Sequence, residues 1–248
     1  MTTEGDTVLS GGNMGEVLRR GDTVVRQSGE WTPAVHRLLK HLCAAGIHGI
    51  SKVLTSTDPH EEVLSFVDGD VPSYPMPHRV WDEAALRSAA RLLRQIHDAT
   101  ADLAREGPWR SPVREPAEVI CHNDFAPYNL VFRGSEVVGV IDWDFASPGP
   151  RVWDLAYLAY RLVPLSAADH SDGFTANERQ SRLDLLMDAY GTRWEPTQLR
   201  RVVSDRLCAL AELSDEKAIE LSKPELAEHA QLYRADARAL SGNNAQPD

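Results

Sequence analysis

The spacing of hydrophobic and polar positions changes along the chain. From Leu9 to about Val67, short alternating apolar runs predict strands, and one stretch with helical spacing interrupts them. The order is hairpin, helix, hairpin, which predicts a small β-rich unit at the start of the chain. The predicted strands cover residues 17–19, 23–26, 53–54 and 62–67.

The predicted helix of this unit covers residues 33–45. Thr32 is predicted as its N-cap, Pro33 suits the first helical position, and Gly46 is predicted to end it. Its apolar side chains recur at helical spacing and predict one buried face. They are Val35, Leu38, Leu39 and Leu42.

A turn at residues 68–70 and three nearby prolines interrupt the pattern. We place a boundary there, between a unit at 1–69 and a second unit at 70–248, with a hinge at about 65–70. The second unit is predicted to be mainly helical, so the fold class is α+β. Its predicted helices cover 82–100, 154–162, 178–190, 197–213 and 224–240, and its strands cover 119–120, 130–132 and 137–141.

Composition narrows the classes of protein and partner. The 248 residues are 42% hydrophobic and include no apolar run of about 18 residues, and the N-terminus does not resemble a signal peptide, so we expect a cytoplasmic protein. The formal net charge of -11 disfavours nucleic acid and anionic membranes as partners and is compatible with a cationic substrate. Three scattered cysteines predict no disulfide framework; we expect Cys43 and Cys208 in the core and Cys121 in a packing role.

Two polar motifs carry the candidate chemistry. His122, Asp124 and Asn129 form the pattern H-x-D-x-x-x-x-N, which leads directly into a predicted strand. About a dozen residues later, Asp142 and Asp144 follow an apolar run. A structural interpretation, in which the first motif only builds a hydrogen-bonded loop, is open, but it does not explain why two acidic motifs occur in this order.

Phosphoryl transfer needs these residue types. The transferred group carries dispersed negative charge, so Mg²⁺ bridges the phosphates and requires hard oxygen ligands. Asp142 is predicted to supply a carboxylate and Asn129 an amide oxygen. Asp124 is predicted to orient the acceptor hydroxyl and to accept its proton.

These motifs resemble the aminoglycoside phosphotransferase family. The resemblance rests on HNDFAPYNLVF at the first motif, IDWDFA at the second and GPRVWDLAY directly after it. It implies a protein-kinase-like, two-lobed fold, with a small β-rich N-lobe that contains one helix and a larger, mainly helical C-lobe. It further implies ATP bound at the hinge and a small-molecule hydroxyl as the acceptor.

The resemblance also implies supporting roles for three residues. His122 is expected to shape the catalytic loop, and Asp154 to brace it. Asp144 is expected either to contact a second metal ion or to be solvated.

Three segments of the first unit are expected to bind ATP. Glycines in the first segment let backbone N–H groups approach the phosphates, and these residues are Gly11, Gly12, Asn13 and Gly15. By the resemblance, Arg26 takes the place of the strand lysine that holds the α- and β-phosphates. By the same resemblance, the C=O of Ser65 and the N–H of Val67 bind the adenine edge.

One departure concerns the partner of Arg26. The family pairs this cation with a glutamate on the following helix, but the predicted helix at 33–45 contains none. His36 is the side chain most nearly placed to face the site, and a neutral histidine does not balance an arginine.

Three functions are therefore weighed. The first is a small-molecule kinase that uses ATP and Mg²⁺ to phosphorylate a hydroxyl of an antibiotic or another amine-rich compound. The second is a degenerate kinase fold that acts as a binding or immunity protein without catalysis. The third is a metal-dependent hydrolase built on His97-Asp98, His122 and Asp124.

Overall fold

A five-stranded antiparallel sheet forms the first part of the protein. The computed structural model describes residues 6–9, 17–166 and 173–241. Within these residues the strand order is β1-β2-β3-β5-β4, which confirms the predicted order of hairpin, helix and hairpin and adds an edge strand. The strands are β1 (Asp6–Leu9), β2 (Val17–Arg20), β3 (Thr23–Gln27), β4 (Val53–Leu54) and β5 (Glu61–Ser65).

Helix α1 (Thr32–Ala44) crosses between β3 and β4 and buries the predicted apolar face. The prediction of Thr32 as N-cap was wrong, because Trp31 occupies that position and Thr32 is the first helical residue. The Thr32 hydroxyl accepts a hydrogen bond from the Gly29 N–H at 2.8 Å. It therefore fixes the turn before the helix and leaves the first helical N–H groups to other acceptors.

Helices dominate the rest of the chain. Helix α2 (Glu83–Thr100) is buried along one face. Its neighbours are β6 (Val119–Cys121), β8 (Glu136–Val140), α3 (Arg151–Leu162) and α4 (Ala176–Tyr190). One hydrophobic cluster runs from α1 through α2 to α6 (Pro224–Leu240), so the sheet and the helices share a core. The remaining elements are β7 (Leu130–Arg133), β9 (Ser147–Gly149) and α5 (Pro196–Glu220).

Two sequence predictions for the helical part were wrong. Helix α5 extends to Glu220 rather than residue 213 and packs along α6. Cys208, expected in the core, is exposed, whereas its neighbour Leu207 is buried. The helical register explains this, because adjacent residues of a helix point about 100° apart. None of the described helices has the length and apolar character that crossing a membrane requires.

A buried carboxylate on α3 joins several of these elements. Asp154 accepts hydrogen bonds from the backbone N–H groups of His122 at 2.6 Å and Asn123 at 2.8 Å. His97 of α2 lies 3.2 Å from the same carboxylate and 2.8 Å from the hydroxyl of Tyr190 on α4. Asp154 therefore fixes the loop after β6 to three helices.

The surroundings of Asp154 favour its charged form. Burial acts to raise the pKa of Asp154, but the hydrogen bond and charge of His97, together with His122, hold that pKa below its usual range. A carboxylate with a lowered pKa stabilises the fold above its unfolded pKa of about 3.9, and this stabilisation is lost as the pH falls through the folded value.

We predict that Asp154→Asn lowers the free energy of unfolding by about 1–3 kcal/mol at neutral pH, because the amide leaves a buried N–H without an acceptor. Chemical denaturation measures this, with the exposed Asp102→Asn as control. The difference in the free energy of unfolding between wild type and Asp154→Asn becomes smaller below about pH 4. Equal free energies of unfolding at neutral pH would contradict the role of Asp154 in holding the loop after β6.

Candidate active site

The loop between β6 and β7 carries the first motif. Asn123 adopts a left-handed conformation with φ of 64°. Its side-chain Nδ2 donates to the Phe145 carbonyl and to the Ser147 hydroxyl, both at 2.8 Å. Because the backbone N–H of Asn123 is also bound to Asp154, the conformation of the residue directly before Asp124 is fixed from two sides.

Asp124 is partly exposed and accepts two side-chain hydrogen bonds. Its Oδ1 accepts from the Tyr128 hydroxyl at 2.8 Å, and its Oδ2 accepts from Nδ2 of Asn129 at 2.8 Å. These donors orient the carboxylate and leave part of it open to a ligand.

Asn129 connects the two motifs. Its backbone carbonyl accepts a hydrogen bond from the Ile141 N–H at 2.9 Å, directly before Asp142. Since its Nδ2 is bound to Asp124, the side-chain oxygen of Asn129 faces away from that carboxylate and has no hydrogen-bond partner in the described parts of the chain. The structure thus brings Asp124, Asn129 and Asp142 to one place.

Asp142 and Asp144 both approach Arg26 of β3. Asp142 has φ of 61°, a 41% exposed side chain, and its Oδ1 lies 3.3 Å from Nη1 of Arg26. Asp144 binds Nη2 of Arg26 and lies 3.6 Å from Arg110. Asp144 is therefore not simply solvated. Burial raises the pKa of Asp144, and the positive charge of Arg26 opposes that shift.

Glu62, which sequence reasoning missed, is the partner of Arg26. The two residues lie opposite each other in the β3–β5 register, and Glu62 binds Nε of Arg26. His36 of α1 lies 2.8 Å from the second Glu62 oxygen. The strand register provides the glutamate that the helix lacks, and His36 contacts it rather than Arg26. The only sequence signal was the paired spacing of the two strands.

Glu62 is charged in this arrangement. Its side chain is 2% exposed. Burial acts to raise the pKa of Glu62, but the hydrogen bond from His36 and the charge of Arg26 outweigh it and lower the pKa.

The predicted adenine-binding residues lie at the end of β5. The Ser65 N–H donates to the Lys52 carbonyl at 2.8 Å, and the Phe66 N–H donates to the Asp22 carbonyl at 2.8 Å. Among the described residues, the N–H of Val67 has no hydrogen-bond acceptor. The predicted phosphate-binding residues Gly11, Gly12, Asn13 and Gly15 lie outside the described residues.

His122 is buried against Phe125 and Trp143. Its Nδ1 accepts from the Asp124 N–H at 3.2 Å, so its Nε2 carries the proton and donates to the Ile141 carbonyl at 3.0 Å. Both nitrogens are used inside the loop, which is the arrangement of a residue that shapes the loop.

The side chains of a hydrolase-type metal site do not converge. His97 faces Asp154, whereas Asp98 binds Arg94 and Arg151, each at 2.7 Å. Cys121 joins His97 and Asp154 within 4.8 Å, but all three are buried. Burial raises the pKa of the Cys121 thiol well above its usual value, which disfavours the thiolate that binds metals.

The chain is similar in sequence to a known protein family and to a named relative. The model of the phosphotransferase enzyme family, APH, matches residues 100–202, which include both motifs. The chain is 34% identical over 194 residues to the trifolitoxin immunity protein of Rhizobium leguminosarum bv. trifolii, covering 74% of this chain and 73% of that protein.

Two solved structures confirm the predicted protein-kinase-like fold. A choline/ethanolamine kinase family protein from Mesorhizobium loti superposes with a TM-score of 0.66 at 20% identity, covering 98% of this chain and 90% of that one. An amicoumacin kinase in complex with AMP-PNP and Ca²⁺ superposes with a TM-score of 0.69 at 12% identity, covering 94% and 89%. With this sequence relative and this fold, the chain belongs to the phosphotransferase enzyme family, APH.

Proposed function

We propose that this protein transfers the γ-phosphoryl group of ATP to a hydroxyl of a small molecule. The observation that carries the proposal is the convergence of Asp124, Asn129 and Asp142, which the hydrogen bonds Asn129–Asp124 and Ile141–Asn129 hold together. The similarity to a kinase that binds AMP-PNP supports ATP as the donor.

The donor set fits Mg²⁺. The free side-chain oxygen of Asn129 and the exposed carboxylate of Asp142 are hard oxygen ligands of the kind that Mg²⁺ prefers. Bound Mg²⁺ would neutralise the charge that develops on the phosphates. Asp144, held by Arg26, stays near enough to Asp142 to contribute negative charge to the same region.

Asp124 takes the role of base. Its open oxygen face orients the acceptor hydroxyl, whose oxygen attacks the γ-phosphorus as the bond from that phosphorus to the β–γ bridging oxygen breaks. ADP leaves with the bond electrons, and the hydroxyl proton goes to Asp124. The bonds from Tyr128 and Asn129 fix the carboxylate for this step.

The remaining nucleotide contacts belong to the same proposal. Arg26 would hold the phosphates, Asp142 would hold Mg²⁺, and Glu62 keeps the guanidinium of Arg26 in place. Ser65 and Val67 bind adenine, and Gly11–Gly15 cover the phosphates. This assigns residues 1–69 to a nucleotide-binding lobe with its hinge at about 65–70, and residues 70–248 to a catalytic and acceptor-binding lobe. We expect the protein to be cytoplasmic.

A second candidate is a non-catalytic immunity protein. The 34% identical relative is an immunity protein by name, and it favours this possibility.

For the catalytic candidate, the resemblance and the net charge of -11 predict an amine-rich acceptor, such as an aminoglycoside. Turnover of ATP separates the kinase from the non-catalytic immunity protein, because only the kinase needs Asp124 as a base.

We predict that Asp124→Asn slows phosphoryl transfer by about 10²–10⁴-fold, because the amide does not accept the hydroxyl proton. The affinity for MgATP, measured by calorimetry, changes little. Asp205→Asn, at an exposed position of α5, is the matched control with wild-type rates. Transfer at the wild-type rate in Asp124→Asn would remove Asp124 from the mechanism.

We predict that Asp142→Ala weakens Mg²⁺-dependent ATP binding by more than about tenfold, since one metal ligand is lost. The measurement is ATP affinity at a series of Mg²⁺ concentrations, with EDTA as the metal-free reference. The variant and the wild type bind ATP with similar affinity in EDTA. An unchanged Mg²⁺ dependence would contradict Asp142 as a ligand.

We predict that Glu62→Gln lowers kcat/KM for ATP by at least about tenfold, equivalent to about 1.4 kcal/mol of lost positioning of Arg26. Glu61→Gln is the matched control, because Glu61 is exposed on the adjacent position of β5. Steady-state kinetics at varied ATP measures both variants. Equal effects of the two substitutions would contradict a specific role for Glu62.

A further inference from the structure

A guanidinium lies among tyrosines at the far end of a hydrogen-bond chain that begins at Asp124. Arg161, near the end of α3, has its Cζ 5.1–5.9 Å from the ring centroids of four tyrosines. A fifth, exposed tyrosine contacts it from the segment after β5. We call this set the tyrosine cluster; its members are Tyr74, Tyr128, Tyr157, Tyr160 and Tyr233.

A directed hydrogen-bond chain connects Arg161 to Asp124. Nη2 of Arg161 donates to the Tyr157 hydroxyl at 2.9 Å, which lies 2.9 Å from the Tyr128 hydroxyl. Because Tyr128 donates its proton to Asp124, the Tyr157 hydroxyl donates to Tyr128. The cation is therefore two hydroxyl groups away from the proposed base.

Arg161 differs in its partners from Arg26 of β3 and Arg151 of α3. Arg26 and Arg151 each contact a carboxylate. In the described ranges no carboxylate oxygen lies within ion-pair distance of Arg161, whose hydrogen bonds go only to tyrosine hydroxyls. Aromatic rings offset part of the cost of removing a cation from water, but a partly buried arginine without an anion remains a binding site for one.

Several donors around Arg161 are open. Nη1 of Arg161 has a single contact, to the Tyr74 hydroxyl at 3.3 Å, and Tyr74 is 61% exposed. The hydroxyls of Tyr74 and Tyr233 both accept from the guanidinium, so each keeps its own proton for another acceptor. The Nη1 edge and two hydroxyls thus offer N–H and O–H donors to one anionic group.

Acidic groups near the cluster do not favour a polycation. Asp124 is bound to Tyr128 and Asn129. Asp236 is buried and accepts from the Tyr160 hydroxyl at 2.7 Å. Among the described residues, Arg161 is the charged side chain that the rings of the cluster surround, and its positive charge would repel an amine-rich acceptor.

We propose that Arg161, with the hydroxyls of Tyr74 and Tyr233, binds an anionic oxygen group, a carboxylate or a phosphate, of the acceptor whose hydroxyl lies at Asp124. The inference rests on the proposed function, and it replaces the amine-rich acceptor by a hydroxylated acid. The two hydroxyl groups between Arg161 and Asp124 set the spacing between the anionic group and the reacting hydroxyl.

The experiment compares hydroxyl compounds that differ only in charge. The probes are 4-hydroxyphenylacetate, its neutral amide and tyramine, with glycerate and glycerol 3-phosphate to separate carboxylate from phosphate. Binding is measured by ligand-observed NMR without nucleotide. We expect 4-hydroxyphenylacetate to bind at least about tenfold tighter than its neutral amide or tyramine, equivalent to about 1.4 kcal/mol. The tighter of glycerate and glycerol 3-phosphate identifies the anionic group that the site prefers.

Variants assign the preference to Arg161. Arg161→Gln abolishes the difference between acid and amide, whereas Arg161→Lys retains part of it because the charge remains. Arg238→Gln, at an exposed position of α6, leaves it unchanged. Thermal unfolding checks that each variant is folded; if the Gln variant is not, Tyr74→Phe, at an exposed side chain, is expected to weaken binding of the acid only.

The outcomes separate this inference from the proposed function. Tighter binding of tyramine, no binding of any anionic probe, or an acid preference that persists in folded Arg161→Gln would overturn it. MgATP affinity is measured in the same samples. Anion binding at Arg161 without MgATP binding would overturn the proposed kinase. If the protein binds MgATP but shows no preference for anionic probes, only the inference that the acceptor is a hydroxylated acid is overturned.

Discussion

The buried carboxylate of Asp154 is the constraint on which the site depends. It accepts two successive backbone N–H groups at the end of β6 and contacts His97 of α2. A buried charge is tolerated only when hydrogen bonds satisfy it, so the loop has one low-energy position against the helices. That position places Asp124 beside Tyr128 and Asn129, and Asn129 in turn fixes the backbone next to Asp142.

Charge is distributed unevenly across the site. On the proposed nucleotide side, the carboxylates of Glu62, Asp142 and Asp144 surround Arg26, which joins the sheet to the second motif. A metal cation can replace Arg26 as the partner of these carboxylates, and a polyphosphate can replace the carboxylates as the partner of Arg26. In each case the new partner carries the same sign of charge as the one that it replaces. On the proposed acceptor side, tyrosine hydroxyls and rings rather than carboxylates surround the guanidinium of Arg161. The two halves of the site therefore suit different ligands.

Local patterns predicted much of this structure, and long-range contacts did not follow from them. The apolar face of α1, the extent of α6 and the loop that carries Asp124 and Asn129 were predictable, because each rests on spacing within a short segment. Glu62 was missed because its role depends on the register between β3 and β5, 36 residues apart. Arg161 was missed for a similar reason, since its tyrosine partners come from four segments that are far apart in the sequence.

Phosphoryl transfer from ATP to a hydroxyl is tested most directly by the stoichiometry of ATP consumption by the wild-type protein. ADP and phosphorylated acceptor are quantified in one reaction with MgATP and a panel of hydroxylated acids, amides and amines, by ³¹P NMR. The account predicts one phosphate ester formed for each ADP released, only with Mg²⁺ present. MgATP binding without ADP or ester formation across the whole panel would contradict the kinase and favour an immunity protein that binds without catalysis.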